Sequence, residues 1–120
     1  MDTRVKIISP DAAADIARHQ KVRILSGRFD PLLAEHARRI ADVAQDGPLL
    51  VFVLDYDGAI LPSGARAELV AALQAVRYVS VVDGPALDEM SGKFNIIRDD
   101  NDDILRQKQL LEHIRSREPK

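Results

Sequence analysis

Apolar positions along the chain fall into short continuous runs, which alternate with longer segments where they recur every three or four residues. The runs near 22–26, 49–54 and 78–82 predict β-strands. Because the run 49–54 contains no polar residue, it predicts a strand that is covered on both faces. A shorter run at 94–97 predicts a last strand, for which an edge position is one option.

Helices are predicted wherever the apolar spacing is three or four residues. Ser9 and Pro10 predict the start of the first helix, with Ser9 as its cap, and Asp30 followed by Pro31 predicts the start of the second in the same way. We predict helices over about 11–20, 32–45, 63–76 and 86–90, and a C-terminal helix within 101–118.

Strands that alternate with helices of about 10 to 15 residues imply crossover connections and a parallel sheet. We therefore expect an α/β protein, namely a three-layer Rossmann-like domain with a parallel sheet of four to five strands. The chain has 120 residues, of which 46% are hydrophobic and 30% charged. That size and composition predict one globular domain spanning 1–120.

The junction between the first strand and the second helix carries the clearest chemistry. Gly27 permits a tight turn, and a turn that leads into a helix places unpaired backbone amides at the positive end of the helix dipole. Such a junction favours an anion such as phosphate. Alternatives stay open for each residue: Asp30 is a helix cap or a ligand contact, and His36 bonds a phosphate or a backbone carbonyl.

The same junction resembles a known signature. The sequence G-R-F-D-P-L-L-A-E-H at 27–36 is similar to G-x-F-D-x-x-H-x-G-H, the first signature of the nucleotidyltransferase superfamily. The nearest branch is the cytidylyltransferase-like one, which includes glycerol-3-phosphate cytidylyltransferase and the nucleotidyltransferase domain of ADP-heptose synthase. The segment 60–73, with Val76 and 78–79, resembles the family's next helix and strand, so the likeness covers about 6–84.

The resemblance implies a nucleotidyl transfer, in which the phosphate of an acceptor attacks the α-phosphorus of CTP or ATP and releases pyrophosphate with the help of Mg²⁺. It implies that His36 is the catalytic residue and stabilises the leaving group. It implies no protein ligand for the metal. The nucleotide-binding residues that the resemblance implies are Ser26, Gly27, Arg28, Phe29, Asp30 and Arg66. For Arg66, the alternative is an ion pair on the helix surface near Glu68.

Two residues depart from the family signature. Leu33 stands where the first histidine is expected, and Glu35 stands where a glycine lets the nucleotide approach the backbone. The carboxylate of Glu35 would repel a triphosphate, and the sequence lacks the late phosphate-binding motif I-S-S/T-T-x-x-R. We therefore expect nucleotidyl transfer to be weak or lost.

Two other functions remain open. The first is a non-catalytic scaffold with the nucleotide-binding fold, which binds a partner or pairs with itself as a homodimer. The second is a haloacid-dehalogenase-type phosphatase, because V-F-V-L-D-Y-D-G at 51–58 resembles the D-x-D-G element of that family. That resemblance implies Asp55 as nucleophile and Asp57 as general acid beside Mg²⁺. Threonine is expected after that glycine, and Ala59 stands there instead.

Charge and composition narrow the choice of partners. The net charge of −2 gives no broad basic surface for nucleic acid. No apolar run approaches the roughly 20 residues that cross a bilayer, and no signal-peptide pattern is present, so we expect neither nucleic acid nor membrane as a partner. Cysteine is absent, which excludes disulfides and thiolate metal sites and favours a cytoplasmic location.

Overall fold

A computed structural model of the chain describes residues 2–100. The predicted helix within 101–118, and with it the full 1–120 domain boundary, lies outside the described residues. Within 2–100, no helix combines the length and the apolar character that a transmembrane segment requires. After a short 3₁₀ helix (Thr3–Lys6), the strands are β1 (Arg23–Gly27), β2 (Leu49–Asp55), β3 (Tyr78–Asp83) and β4 (Ile96–Arg98), and the helices are α1 (Pro10–His19), α2 (Ala34–Ala44), α3 (Ser63–Ala71) and α4 (Gly84–Lys93).

The four strands form one all-parallel sheet in the order β3-β2-β1-β4. The predicted α/β fold, a three-layer Rossmann-like domain with four or five parallel strands, is therefore confirmed with four strands in the described part of the chain. Ile7 forms an isolated bridge to Val79, and the amide of Ile8 donates to the Val79 carbonyl at 2.8 Å. The N-terminal segment thereby extends along the outer side of β3.

Strand β2 is buried on both faces, as its unbroken apolar run predicts. Successive side chains of a strand point to opposite faces, so β2 feeds two separate hydrophobic clusters. One cluster packs against α2 and α3, and the other against α1 and α4. The β2 members are Leu49, Val51 and Val53 in the first cluster and Leu50, Phe52 and Leu54 in the second.

Four helix boundaries differ from the prediction by two residues or more. One of them is the end of α4, which lies at Lys93 rather than 90. Helix α2 begins at Ala34 rather than 32, because Asp30 does not cap it. Helix α3 ends at Ala71 rather than 76, since the amides of Leu73 and Val76 bond carbonyls three residues back and tighten the chain into turns. Helix α4 begins earlier than predicted because the Asp83 side chain caps it, accepting from the Ala86 amide at 2.8 Å. The cap at the start of α1 is confirmed, with Ser9 accepting from the Ala12 amide at 3.1 Å.

Candidate functional site at the carboxyl edge of the sheet

The candidate site lies where the strand order reverses. Strand β1 has β2 on one side and β4 on the other. The chain leaves β1 towards β2, and it reaches β4 on the other side of β1 only from β3, through α4. In open parallel sheets, ligands bind in the crevice beyond such a switch point. Ser26 and Gly27 end β1, Asp55 ends β2, and Arg98 ends β4 at the same edge. The predicted turn 27–31 is therefore at the position where a parallel sheet offers a ligand crevice.

Gly27 is required by the close approach of an aromatic ring. A Cβ atom at this position would lie 2.5–2.9 Å from three ring atoms of Phe29. Phe29 is itself buried and has a positive φ of 50°, so its ring folds back onto the end of β1. The ring then meets His36 edge-on, with 5.6 Å between the ring centroids. Gly27, Phe29 and His36 are therefore packed on the same side of the molecule.

His36 forms part of the start of α2. Its Nδ1 accepts a hydrogen bond from the Leu33 amide at 2.9 Å, and Leu33 is the N-cap residue of the helix. In a neutral ring this bond places the remaining proton on Nε2. The bond to the backbone corresponds to the structural alternative for His36, although the partner is an amide rather than a carbonyl. Its catalytic role stays a prediction.

Asp30 is not the cap of α2, so that prediction is wrong. Its carboxylate is buried and accepts from the amides of Ile60 at 2.7 Å and Leu61 at 2.8 Å, and from the hydroxyl of Tyr56. Burial raises the pKa of Asp30, but these three donors and the nearby Arg66 outweigh it, so the pKa lies below the ordinary aspartate value. Asp30 is thus ionised and fastens the loop after β2 onto the turn after β1.

Arg66 lies fully buried beneath the same turn. Its Nη1 donates to the carbonyl oxygens of Arg28 at 2.8 Å and Leu54 at 2.7 Å, and its Nε donates to that of Leu61 at 3.0 Å. Because the side chain is 0% exposed, the surface ion pair near Glu68 is excluded. Its Nη2 is buried and has no hydrogen-bond partner among residues 2–100. Arg66 therefore joins the carboxyl ends of β1 and β2 through hydrogen bonds, and within the described residues its Nη2 is a donor that is not used.

Two guanidinium groups contact the same aromatic ring. The Cζ atom of Arg28 lies 4.0 Å from the centroid of the Tyr56 ring, and that of Arg66 lies 5.2 Å from it. The hydroxyl of this ring donates to Asp30, so one carboxylate partly offsets two positive charges. Tyr56 belongs to the D-Y-D-G segment at 55–58, but that segment did not predict the contact of its ring with the two arginines. Two guanidinium groups and one carboxylate are thus gathered around the Tyr56 ring at the end of β1.

A second network, which the sequence did not indicate, joins β1, β4 and α4. Asp100 is buried, accepts from the Ser26 hydroxyl at 2.5 Å, and is held by two hydrogen bonds from Arg98, each 2.8 Å long. Arg98 also donates to Asp88 and Ser91 on α4. In the sequence, Asp100 belongs to an acidic run, 99–103, of a kind that is typical of the start of a helix. Ser26 is therefore engaged by a carboxylate, on the side of β1 that faces β4.

No protein-family model matches this chain, and no curated protein matches it significantly.

The two aspartates of the phosphatase resemblance lie one strand away from the turn. Asp55 ends β2 and Asp57 follows it, and both side chains are exposed. Within residues 2–100, no group of three or more metal-ligating side chains comes together. The two buried carboxylates at this edge, Asp30 and Asp100, are already occupied by hydrogen-bond donors. The described residues therefore hold no preformed cluster of three metal ligands at this edge.

The Asp100 network is expected to make the stability of the fold depend on pH. Burial raises the pKa of Asp100, and hydrogen bonds from Arg98 and Ser26 outweigh it and lower the pKa below its ordinary value. A carboxylate with a lowered folded-state pKa stabilises the fold above its unfolded pKa of about 3.9, and the contribution is lost as the pH falls through the folded-state pKa. We expect the difference in free energy of unfolding between wild type and Asp100→Asn to be constant above about pH 5 and to shrink as the pH falls below that value.

Urea unfolding followed by circular dichroism at a series of pH values measures this difference. The exposed Asp57→Asn variant is the matched control for loss of a carboxylate. A constant gap between wild type and Asp100→Asn over the whole range would contradict the account.

Proposed function

We propose that the chain is a cytidylyltransferase-like nucleotidyltransferase domain that binds a nucleoside triphosphate at the carboxyl edge of β1 and catalyses nucleotidyl transfer weakly or not at all. The observation that carries the proposal is the gathering of Gly27, Arg28, Phe29, His36 and Arg66 around the end of one strand, at the point where strand order reverses. The family signature places its phosphate-binding turn at this position.

Local charge supports an anionic ligand at this turn. Arg28 is partly exposed beside the Tyr56 ring, and Arg66 holds a buried Nη2 without a partner in the described residues. An arginine donor in a site of low dielectric favours a phosphate oxygen strongly. The amino end of α2 adds the positive end of its dipole beside the turn. A triphosphate, bringing its own Mg²⁺, is the ligand that this chemistry suits.

The contacts of the signature residues explain why we expect transfer to be weak. The Nδ1 atom of His36 is bonded to the Leu33 amide, and the side chain of Leu33 offers no hydrogen-bond donor where the family has its first histidine. Glu35 stands exposed in the first turn of α2 and adds a negative charge. Losing one preorganised donor for a developing negative charge costs about 10²–10³ in turnover. Because the sequence contains no cysteine, we propose that this function is carried out in the cytoplasm.

Calorimetric titration with CTP and with ATP, each with magnesium, tests the proposal. We expect one of them to bind, and Arg28→Gln to weaken binding about tenfold because a phosphate contact is lost. Glu35→Gln should strengthen binding several-fold, because it removes a like charge without changing the helix. Arg38→Gln and Glu89→Gln, exposed on α2 and α4, are the matched charge controls. Pyrophosphate release with phosphorylated small-molecule acceptors then measures transfer.

One observation favours a second candidate, the non-catalytic scaffold. The residues at signature positions bond mainly to the chain itself: Asp30 to two amides, Arg66 to three carbonyls and His36 to an amide. An absence of heat with both nucleotides, in wild type and in Glu35→Gln, would reject nucleotide binding and favour the scaffold. Sedimentation would then show whether the domain pairs with itself.

A further inference from the structure

A second hollow lies at the opposite edge of the sheet, where the strands begin. It has a volume of about 760 Å³ and is formed by the 3₁₀ helix, the turns after α3 and the residues that precede β2 and β3. This volume lies within the range of roughly 300–1,000 Å³ that is usual for small-molecule sites. The sequence resemblance assigns nothing to this edge. Its lining includes Lys6, Pro48, Ala72, Ala75, Val76 and Arg77.

The charges in this hollow have one sign. Lys6 and Arg77 are the charged residues of its lining, and both are cations. The ammonium of Lys6 donates to the Leu73 carbonyl at 3.1 Å, just beyond the end of α3, where it offsets the negative end of the helix dipole. Arg77 is exposed, and its guanidinium lies 5.9 Å from the Tyr78 ring, with no ion pair to a carboxylate within residues 2–100. Arg77 thus presents an exposed positive charge beside the hollow.

The remaining wall is largely apolar. Pro48 precedes β2 and Val76 precedes β3, and Val76 is 2% exposed, so its side chain forms a firm floor. Ala72 and Ala75 have short side chains that leave the space above this floor open. An apolar surface beside an exposed guanidinium suits a ligand that has an apolar body and one anionic head.

We propose that this hollow binds a small amphipathic carboxylate. The carboxylate accepts two parallel hydrogen bonds from the guanidinium of Arg77, and the apolar body covers Pro48, Ala75 and Val76. This site is separate from the nucleotide turn, because it lies at the amino ends of the strands and the turn lies at their carboxyl ends. Ligand binding in the hollow can therefore be tested independently of the proposed nucleotide binding.

Nuclear magnetic resonance titration of the ¹⁵N-labelled chain with octanoate tests the proposal. We expect amide shifts that saturate below about 10 mM and map to 72–77 and the 3₁₀ helix. Acetate supplies the head without the body, and octylammonium supplies the body with the opposite charge, so both should bind at least about tenfold more weakly. Arg77→Gln should weaken octanoate about tenfold, whereas Arg38→Gln, which removes an exposed cation on α2, should leave its affinity unchanged.

Three outcomes would overturn the proposal. The first is the absence of saturable shifts at 72–77, and the second is equal binding of octanoate and octylammonium. The third is an equal loss of affinity in Arg77→Gln and Arg38→Gln, which would show that net charge rather than the hollow attracts the ligand. Arg28→Gln should leave octanoate binding intact even if it abolishes nucleotide binding, which separates this site from the turn.

Discussion

Replacing Arg66 with alanine is expected to lower the free energy of unfolding by about 4 kcal/mol, since three carbonyls lose a charged donor and the buried side chain leaves a cavity. The affected carbonyls belong to Arg28, Leu54 and Leu61, so the loss reaches the ends of two strands and the loop before α3. Arg66→Lys keeps the charge but not the planar fork, and we expect it to lose about 2 kcal/mol. Urea unfolding measures both values.

Arg38→Ala is the control for this experiment. Arg38 is exposed on α2, so its removal should change the free energy of unfolding by less than about 0.5 kcal/mol. An Arg66→Ala chain as stable as Arg38→Ala would mean that the three carbonyls do not depend on the guanidinium, and the role given to Arg66 would have to be abandoned.

Gly27→Ala is expected to destabilise the fold by about 2 kcal/mol through overpacking. The new methyl group would lie 2.5–2.9 Å from the Phe29 ring, which is buried and cannot turn away without disturbing His36. Gly64→Ala is the matched control, because no heavy atom lies within 4 Å of a Cβ at that position in α3. We expect that variant to be as stable as wild type or more stable by up to about 1 kcal/mol.

A double-mutant cycle with Phe29→Leu identifies the cause. Leucine removes the ring atoms that the methyl group would meet, so the combined variant should lose less stability than the sum of the two single variants. Strict additivity would show that Gly27 is needed for some reason other than the ring of Phe29.

Most of the fold followed from the sequence, because sheets covered on both faces produce a distinctive pattern. The run 49–54 is apolar throughout, and β2 is buried as that pattern requires. Helix ends were less predictable, because they depend on contacts between distant residues. Asp30 stands before Pro31 like a cap, yet Tyr56, Ile60 and Leu61 supply donors 26 to 31 positions away.

The position of the turn at 27–31 in the fold was predicted, but the contacts of its residues were not. The turn at 27–31 lies at the switch point, as expected from its place between a strand and a helix. The burial of Arg66 was missed because arginine is usually exposed. One signal could have indicated it: Arg66 stands four residues before Val70, on the buried stripe of α3. The Asp100 network had no comparable signal, since Ser26 and Asp100 are 74 positions apart.

The two-sided burial of β2 has a consequence for how its alignment is chosen. A one-residue slip exchanges the faces of a strand, and in most sheets this would expose apolar side chains and bury polar ones. In β2 both faces are apolar, so hydrophobic burial alone barely distinguishes one register from the next. The register then depends on a polar contact at the carboxyl end of the strand, where the Leu54 carbonyl accepts a hydrogen bond from Arg66. The buried guanidinium of Arg66 thereby selects the register of β2.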